Sequence, residues 1–233
     1  GYQVVVAAGG DGTLNEVLNG IADHPQGLSQ AALAVLPLGT VNVFAKEYLI
    51  PASPAESWQV IRRGQTRLID LPLVEFTTPA GRQTRAFGQM AGAGLDARAI
   101  ELVNWEMKKK IGQMAYVLAG FQALAGPKPA VTASHAGGTA TGELVLIGNG
   151  RFYGGPVPIF HKADPADGLL DVCVFPRAGI QLISRYAWAF LTGKLFYPPG
   201  TIYFQTREVK ITSSKLVSAQ LEPTEWEGVF CGY

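Results

Sequence analysis

The amino-terminal part of the chain alternates between unbroken apolar runs and segments with helical periodicity. Residues 4–8 contain no polar position, which is typical of a strand buried on both faces of a parallel sheet. A second apolar run, Ala32–Leu36, follows a polar loop. The segment between the runs has apolar positions on one helical face: Leu14, Val17, Leu18 and Ile21. This order predicts a β–α–β unit with parallel strands and a right-handed crossover.

Local signals predict where the first helices begin. Thr13 is followed three residues later by Glu16, a capping-box pattern, so we expect a helix to begin at Thr13. A short helix, Glu56–Arg63, is expected after the loop at residues 51–54. Because a parallel sheet needs neighbouring strands and the first run begins almost at Gly1, we expect elements that precede this unit to be missing.

From about Leu68 the pattern changes to short β-type segments separated by glycine and polar turns. This pattern predicts an antiparallel sandwich with inserted helices. We expect a domain boundary near residues 64–68, with an α/β domain at residues 1–66 and a β-rich domain at residues 67–233. The predicted strands are Leu68–Phe76, Thr84–Met90, Val131–Ser134, Leu144–Gly148, Leu170–Phe175 and Ile202–Ile211.

Two segments of the second part have helical periodicity. One runs from Met107 to Ala125 and the other covers Gln181–Leu191. Residues 108–110 are three lysines that lie off the apolar face of the first helix. They either contact anionic lipid head groups or form a solvated helix end, and the second interpretation is favoured because about four to eight basic residues mark a lipid site.

Composition narrows the function classes. The 19 Lys and Arg residues nearly balance the 18 Asp and Glu residues, so the chain lacks the basic surplus of a nucleic-acid-binding protein. No apolar run is long enough to span a membrane, and no signal peptide is recognised. Cys173 and Cys231 match no metal or redox spacing, which favours a cytoplasmic protein. The three histidines are scattered and do not suggest a ligand set.

The turn after the first apolar run, Gly9-Gly10-Asp11-Gly12, predicts a phosphate site. The free amides at a helix N-terminus and the helix dipole favour an anion, and glycine lets the backbone approach it closely. Asp11 fits this site only if it works with Mg²⁺ on a nucleotide phosphate or holds the amides of its own loop in shape. The alternative is an Asp that serves only as a turn residue.

Two further loops carry candidate chemistry. Residues 37–40 form a turn expected at the same sheet edge, where ligands of parallel sheets bind. There, Thr40 and Asn42 could contact a nucleotide or simply cap the loop. The acidic loop at residues 164–171 could ligate a hard cation, or it could be a turn with solubilising acids.

These motifs together resemble the diacylglycerol kinase catalytic-domain family, which includes bacterial lipid kinases and sphingosine kinases and is related in fold to NAD kinases. The resemblance implies a truncated NAD kinase-like α/β nucleotide-binding domain followed by an antiparallel β-sandwich domain that binds the lipid. The matching segments are Gly9–Thr13 with Asn15–Val17, Leu36–Asn42, Gly92–Ala97, Asn149-Gly150 with Tyr153–Gly155, and Asp167–Asp171.

The resemblance implies ATP-dependent phosphorylation of a lipid hydroxyl, such as that of diacylglycerol, at a membrane surface. It implies a Mg²⁺ ion on the Asp167 carboxylate and the main-chain oxygens of Asp164 and Leu169, in addition to any Mg²⁺ carried by ATP. No nucleic-acid partner is expected, and a homo-oligomer is left open. The implied nucleotide-binding residues are Gly9, Gly10, Asp11, Gly12, Thr13, Leu14, Asn15 and Thr40.

The sequence departs from the family near its carboxyl end. Where relatives have Asp-Gly-Glu, which supplies the catalytic base and its support, this chain reads Glu222-Pro223-Thr224. Glu222 aligns with the Asp and could act as the base, and Glu225 is a nearby alternative. The expected catalytic residues are therefore Asp11, Glu222 and Glu225. Three hypotheses follow: a lipid kinase, a kinase for a soluble acceptor, and a nucleotide- or lipid-binding protein without catalysis.

Overall fold

The computed structural model describes residues 3–78, 81–94, 130–213 and 227–231, and its first part is an α/β unit. Strands β1 and β2 pair in parallel, from Val4 with Ala32 to Gly9 with Pro37, which confirms the predicted parallel pair. A small apolar core formed by Ala7, Leu14, Val35 and Phe44 joins them to the helices. The elements are β1 (Val4–Gly9), α1 (Asp11–Ala22), α2 (Gly27–Gln30), β2 (Ala32–Pro37), α3 (Val43–Glu47) and α4 (Pro54–Arg62).

Two expectations about this unit are wrong. β1 is not buried on both faces: Ala7 is its one buried residue, and Val4 is 47% exposed, because within the described residues β1 has β2 as its sole strand neighbour. Helix α1 begins at Asp11 rather than Thr13, with Gly10 as an extended N-cap that has no side-chain cap. Thr13 instead packs against Gly9, where any β-carbon would overlap its side chain.

The second part is a sandwich of two antiparallel sheets. One sheet has the strand order β10-β9-β8-β5 and the other has the order β4-β3-β12-β11-β6-β7. The antiparallel sandwich predicted from the sequence is therefore confirmed. Its described elements are β3 (Leu73–Thr78), β4 (Gly81–Ala86), β5 (Met90–Gly94), β6 (Val131–His135), β7 (Gly138–Gly142), β8 (Leu144–Gly148), β9 (Leu170–Phe175), α5 (Ile180–Thr192), β10 (Ile202–Thr206), β11 (Glu208–Ser213) and β12 (Glu227–Cys231).

The four-stranded sheet is covered on both faces. Towards the six-stranded sheet it contributes Ile147 and Val172, which pack with residues such as Val74 to form the main core. On its other face Leu146 and Cys173 pack against α5 and the loop that follows β8. Since both faces are covered, β8 and β9 are buried along their whole length. The sequence of β8 is apolar throughout, and that of β9 is apolar except for Asp171.

Several predicted strands have different bounds or belong to different sheets. The segment Ile202–Ile211 is two strands, β10 and β11, and the chain changes sheet at Arg207. Thr84–Met90 likewise overlaps β4 and β5, which lie in different sheets. The strand expected from Leu68 begins at Leu73, because the main chain at Asp70 donates to Pro165 O (2.7 Å) instead of joining a ladder.

Some predictions lie where the structure gives no test. The helix expected over residues 107–125, with its lysines at 108–110, and Asp96 fall outside the described residues. Residues 63–72 contain neither helix nor strand, and the proposed domain boundary falls among them. Strands β7 and β12 and helices α2 and α3 are additions that the sequence pattern did not predict. None of the helices in the described ranges has the length and hydrophobicity that a bilayer span requires.

Candidate functional site

Two glycine loops meet at the carboxyl ends of β1 and β2. Leu38 N donates to Gly9 O (3.0 Å), so the second turn is hydrogen bonded to the end of the first strand. A β-carbon on Gly39 would overlap Gly10 Cα and lie 2.7 Å from Asn42 Oδ1. The two loops therefore touch main chain to main chain, a packing that requires glycine at position 39 and leaves little room for a side chain at position 10.

Asp11 joins the two loops through hydrogen bonds. Its two carboxylate oxygens accept hydrogen bonds from Val43 N and Phe44 N, each at 3.0 Å. These amides open helix α3 and have no partner within that helix. Asp11 therefore caps α3. The amides that it holds belong to the helix after the second loop and not to the loop that contains Asp11. Its expected role with Mg²⁺ or in catalysis stays a prediction.

Asn42 holds the second loop in shape. It has a left-handed backbone (φ 51°), and its side-chain oxygen accepts from Gly39 N (3.0 Å). Its side-chain nitrogen donates to Gly39 O (2.7 Å) and Pro37 O (3.3 Å). Of the two interpretations left open for Asn42, the structure supports loop capping. Thr40 lies exposed at the same turn.

The N-terminus of α1 is the end that stays open for an anion. Gly12 and Thr13 are exposed there, and a β-carbon on Gly12 would meet nothing within 4 Å. Leu14 differs from the other predicted nucleotide contacts, because its side chain is in the core and its amide donates to Gly10 O (3.0 Å). Asn15 is half-buried, and its main-chain oxygen accepts from Asn19 (2.9 Å).

Lys46 is a cation near this site that the sequence analysis missed. Its ammonium donates to Val41 O (2.5 Å), and burial lowers its pKa while the nearby Asp11 carboxylate opposes that shift. The signal that could have identified it is its position on α3, immediately after the second glycine motif.

A buried polar cluster connects α3 to the sandwich, and sequence reasoning missed this as well. Glu47 accepts from Arg151 N (2.7 Å), Arg151 Nε (2.8 Å) and Gln89 Nε2 (3.2 Å), with its side chain 3% exposed. Asn19 forms a second connection, donating to Ala86 O (2.9 Å) and accepting from Ala86 N (2.8 Å). The two glycine loops are thus linked to the sandwich through α3 and α1.

The acidic loop after β8 is ordered by its own carboxylates. Asp167 Oδ1 accepts from Leu169 N (2.9 Å), and Asp164 Oδ1 accepts from Ala166 N (3.1 Å). Asp70 accepts from Gly168 N (2.7 Å), and Gly168 has the positive φ (71°) that favours glycine. Within the described ranges no three His, Cys, Asp or Glu side chains are grouped to hold a metal. A site with one carboxylate and main-chain oxygens stays a prediction.

Asp171 follows this loop but lies apart from its surface. It is fully buried, accepts from the Tyr203 hydroxyl and from Gln205 Nε2 (3.3 Å), and burial raises its pKa. The expected base candidates, Glu222 and Glu225, lie outside the described residues. The structure therefore brings together the two glycine loops, while the base remains a prediction from resemblance.

Family comparisons match both parts of the chain. Residues 1–74 match the model of the diacylglycerol kinase catalytic domain, and residues 89–224 match that of the YegS C-terminal NAD kinase beta sandwich-like domain. The second match alone covers more than half of the chain.

Similar proteins have related names. A probable lipid kinase YegS-like of Stenotrophomonas maltophilia is 36% identical over 183 residues, which are 76% of this chain and 57% of that protein. A diacylglycerol kinase of Bacillus subtilis is 28% identical over 99% of this chain and 74% of its own length. The chain thus spans between about half and three quarters of the length of these relatives.

The fold has a counterpart among solved structures. A putative diacylglycerol kinase from Bacillus anthracis superposes with a TM-score of 0.75 and 24% identity, covering 99% of this chain and 75% of that structure. At this identity the likeness bears on the fold, and it matches an α/β unit followed by a sandwich.

Proposed function

We propose a lipid kinase activity for this chain, which belongs to the family that joins a diacylglycerol kinase catalytic domain to a YegS C-terminal NAD kinase beta sandwich-like domain. The reaction is the transfer of phosphate from ATP to the hydroxyl of a lipid alcohol such as diacylglycerol. The observation that carries the proposal is the main-chain contact between the two glycine loops at Gly10 and Gly39, beside the open N-terminus of α1.

The glycine loops fit a nucleotide phosphate. Helix α1 has no side-chain cap, so the amides of its first turn are available to phosphate oxygens, and its dipole adds to the attraction. At α3 the equivalent amides are occupied by the Asp11 carboxylate. The phosphates are therefore expected at Gly10–Thr13, with Thr40 on the opposing loop. ATP supplies the phosphoryl group, and the protein contributes positioning and charge neutralisation.

The donors of the acidic loop suit a hard cation. Carboxylate and main-chain oxygens are the ligands that Mg²⁺ and Ca²⁺ prefer. Asp167 would supply the carboxylate, with main-chain oxygens from Asp164 and Leu169, and the hydrogen bond from Gly168 N to Asp70 would hold the loop in place. We propose that such an ion has a structural role.

The acceptor hydroxyl needs a general base, and Glu222 is the proposed residue with Glu225 as the alternative. A base within hydrogen-bond reach would remove the hydroxyl proton as the phosphoryl group transfers. If Glu222 is the base, Glu222→Gln should lower kcat strongly while leaving ATP affinity unchanged, and Glu225→Gln should have a small effect. The reverse ranking would assign the base to Glu225.

The test is phosphate incorporation from labelled ATP into organic-extractable lipid by the full-length protein with Mg²⁺. Diacylglycerol, a sphingoid base and a polyprenol form the acceptor panel, since motifs do not report the shape of a lipid pocket. Incorporation into one of them is expected. Failure with all three would reject the lipid kinase proposal. In that event, phosphorylation of a soluble acceptor, or a thermal shift with ATP without turnover, would identify which alternative holds.

A further inference from the structure

Helix α5 has apolar side chains on two faces, and one of them is uncovered. Leu182, Tyr186 and Phe190 pack against the four-stranded sheet and the loop after β8. On the other side, Ile180, Trp188 and Leu191 follow a helical stripe and are 67%, 57% and 77% exposed. An aromatic and two aliphatic side chains in one exposed stripe indicate a surface that binds something apolar.

The segment after α5 enlarges this stripe. Phe196 is 60% exposed, and Arg185 fixes its position by donating to Phe196 O (3.2 Å) and Tyr197 O (3.1 Å). Between the helix and Phe196 lies a groove of about 360 Å³, lined by Gln181, Ser184, Arg185, Trp188 and Phe196. We call Ile180, Trp188, Leu191 and Phe196 the α5 outer surface. The Arg185 hydrogen bonds hold it in one arrangement before any partner binds.

The charged side chains of α5 and of the segments on either side of it are positive. All 18 Asp and Glu residues of the chain lie outside residues 172–207, whereas four of its 19 Lys and Arg residues lie inside them. Arg177 and Lys194 are exposed at the two ends of α5. One carboxylate reaches this stretch from another element: the half-buried Glu143 accepts from Ala178 N (2.8 Å), just before α5. The exposed stripe is therefore flanked by cations.

Helix α5 also contacts the loop after β8. The Tyr186 hydroxyl donates to Tyr153 O (3.3 Å), and the two rings meet edge to face. Tyr153 belongs to the loop whose Arg151 pairs with Glu47 of the nucleotide-site helix α3. Helix α5, which carries the outer surface on one face, thus packs through its other face on the same loop that contacts α3 of the α/β unit.

We propose that the α5 outer surface docks on the surface of an anionic bilayer. Trp and Phe enter the boundary between head groups and acyl chains, Leu and Ile add apolar area, and flanking Lys and Arg contact anionic lipids. The inference deepens the proposed function, on which it rests, by naming the surface through which the enzyme reaches a lipid acceptor.

The test is co-sedimentation of the full-length protein with vesicles of phosphatidylcholine alone and with vesicles containing equal parts of phosphatidylglycerol. Binding to the anionic vesicles is expected to exceed binding to the neutral ones. The double variant Trp188→Ala/Phe196→Ala should lower the partition coefficient at least about tenfold, because it removes two large apolar side chains from the contact. Charge reversal at Arg177 or Lys194 should lower anionic binding at least about fivefold.

The matched control is Trp58→Ala. Trp58 is 47% exposed on α4, in the α/β unit, and its removal should leave vesicle binding unchanged. Circular dichroism and Tm confirm folding of every variant. Equal vesicle binding by the wild type, the double variant and Trp58→Ala would overturn the proposal. A dimer in solution that the double variant abolishes, with vesicle binding unaltered, would also overturn it and assign the surface to a second copy of the chain.

An activity assay in detergent micelles separates this inference from the proposed function. A micelle-dispersed acceptor needs no bilayer docking, so the double variant should keep wild-type turnover there and lose it on vesicles. Loss of turnover in both formats would contradict a docking role. Absence of turnover by the wild type in both formats would reject the kinase proposal, while the vesicle-binding result would still decide the docking surface.

Discussion

Replacing Asp11 by Ala should destabilise the protein as well as impair nucleotide binding. The change removes the acceptor of two hydrogen bonds of 3.0 Å and leaves the amides of Val43 and Phe44 without it. Both residues are 7% exposed, so water replaces the carboxylate poorly. Each unsatisfied buried donor costs about 1–3 kcal/mol of unfolding free energy. Because Asp11 is half-buried, the lower half of that range applies to each of the two amides, and the expected loss of stability is about 2–4 kcal/mol.

The assay is denaturant unfolding combined with Tm. A loss of about 2–4 kcal/mol corresponds to a Tm lower by about 5–15 °C for a chain of this size. Asp11→Asn keeps one acceptor oxygen and should lose about 1–2 kcal/mol. Asp23→Ala is the matched control, since Asp23 is exposed at the other end of α1, and it should stay within about 0.5 kcal/mol of wild type.

The functional part of the prediction is separate. If Asp11 also acts on the nucleotide through Mg²⁺, Asp11→Asn should lose turnover by more than its modest stability loss explains, even at temperatures far below its Tm. Equal stabilities of Asp11→Ala and Asp23→Ala would refute the capping role. Full turnover of Asp11→Asn would refute the catalytic role and leave Asp11 a loop-fixing residue.

Three further perturbations test other contacts. Glu47→Ala should cost about 2–4 kcal/mol by denaturant unfolding, because it removes the acceptor of Arg151 N and one of the two acceptors of the Gln89 side chain, although the half-exposed guanidinium of Arg151 regains water. An unchanged free energy of unfolding would contradict the link. Gly39→Ala should weaken ATP binding at least about tenfold in calorimetry, because the added methyl group separates the two loops at a steric cost of about 1–3 kcal/mol. Wild-type affinity for ATP in this variant would disprove the prediction. Burial raises the pKa of Asp171, so ionisation of this carboxyl opposes folding. The Tm of Asp171→Asn minus the Tm of the wild type should therefore increase as the pH rises from about 4 to 7, and a difference independent of pH would rule this out.

Local patterns explain what the sequence predicted correctly. The apolar runs and the glycine turns at 9–12 and 37–40 are short-range signals, and they sufficed for the parallel pair and for the position of both glycine loops at its edge. The strands Leu144–Gly148 and Leu170–Phe175 were predicted with their observed bounds, because strands covered on both faces are mostly apolar between polar turns, and Asp171 is the one charged residue in the two strands.

Long-range contacts explain the rest. The partners of Asp11 lie more than thirty residues away, and those of Glu47 lie 42 and 104 residues away in the sandwich part, so no local spacing indicates either set. The change of sheet at Arg207 is invisible because β-type residues continue through it. The capping box at Thr13 failed because Gly10 can turn directly into the helix, which frees the Thr13 side chain to pack on Gly9.

Helix α3 is only five residues long, yet both of its ends are tied to other parts of the molecule. Its first amides are held by Asp11 of the first glycine loop, and its last residue, Glu47, is held by Arg151 and Gln89 of the sandwich. One turn and a half of helix cannot absorb a displacement internally, so a movement of the loop at one end must strain the ion pair at the other. Occupation of the phosphate loop should therefore slow amide hydrogen exchange at Arg151 as well as at Val43, and the two halves should tighten together.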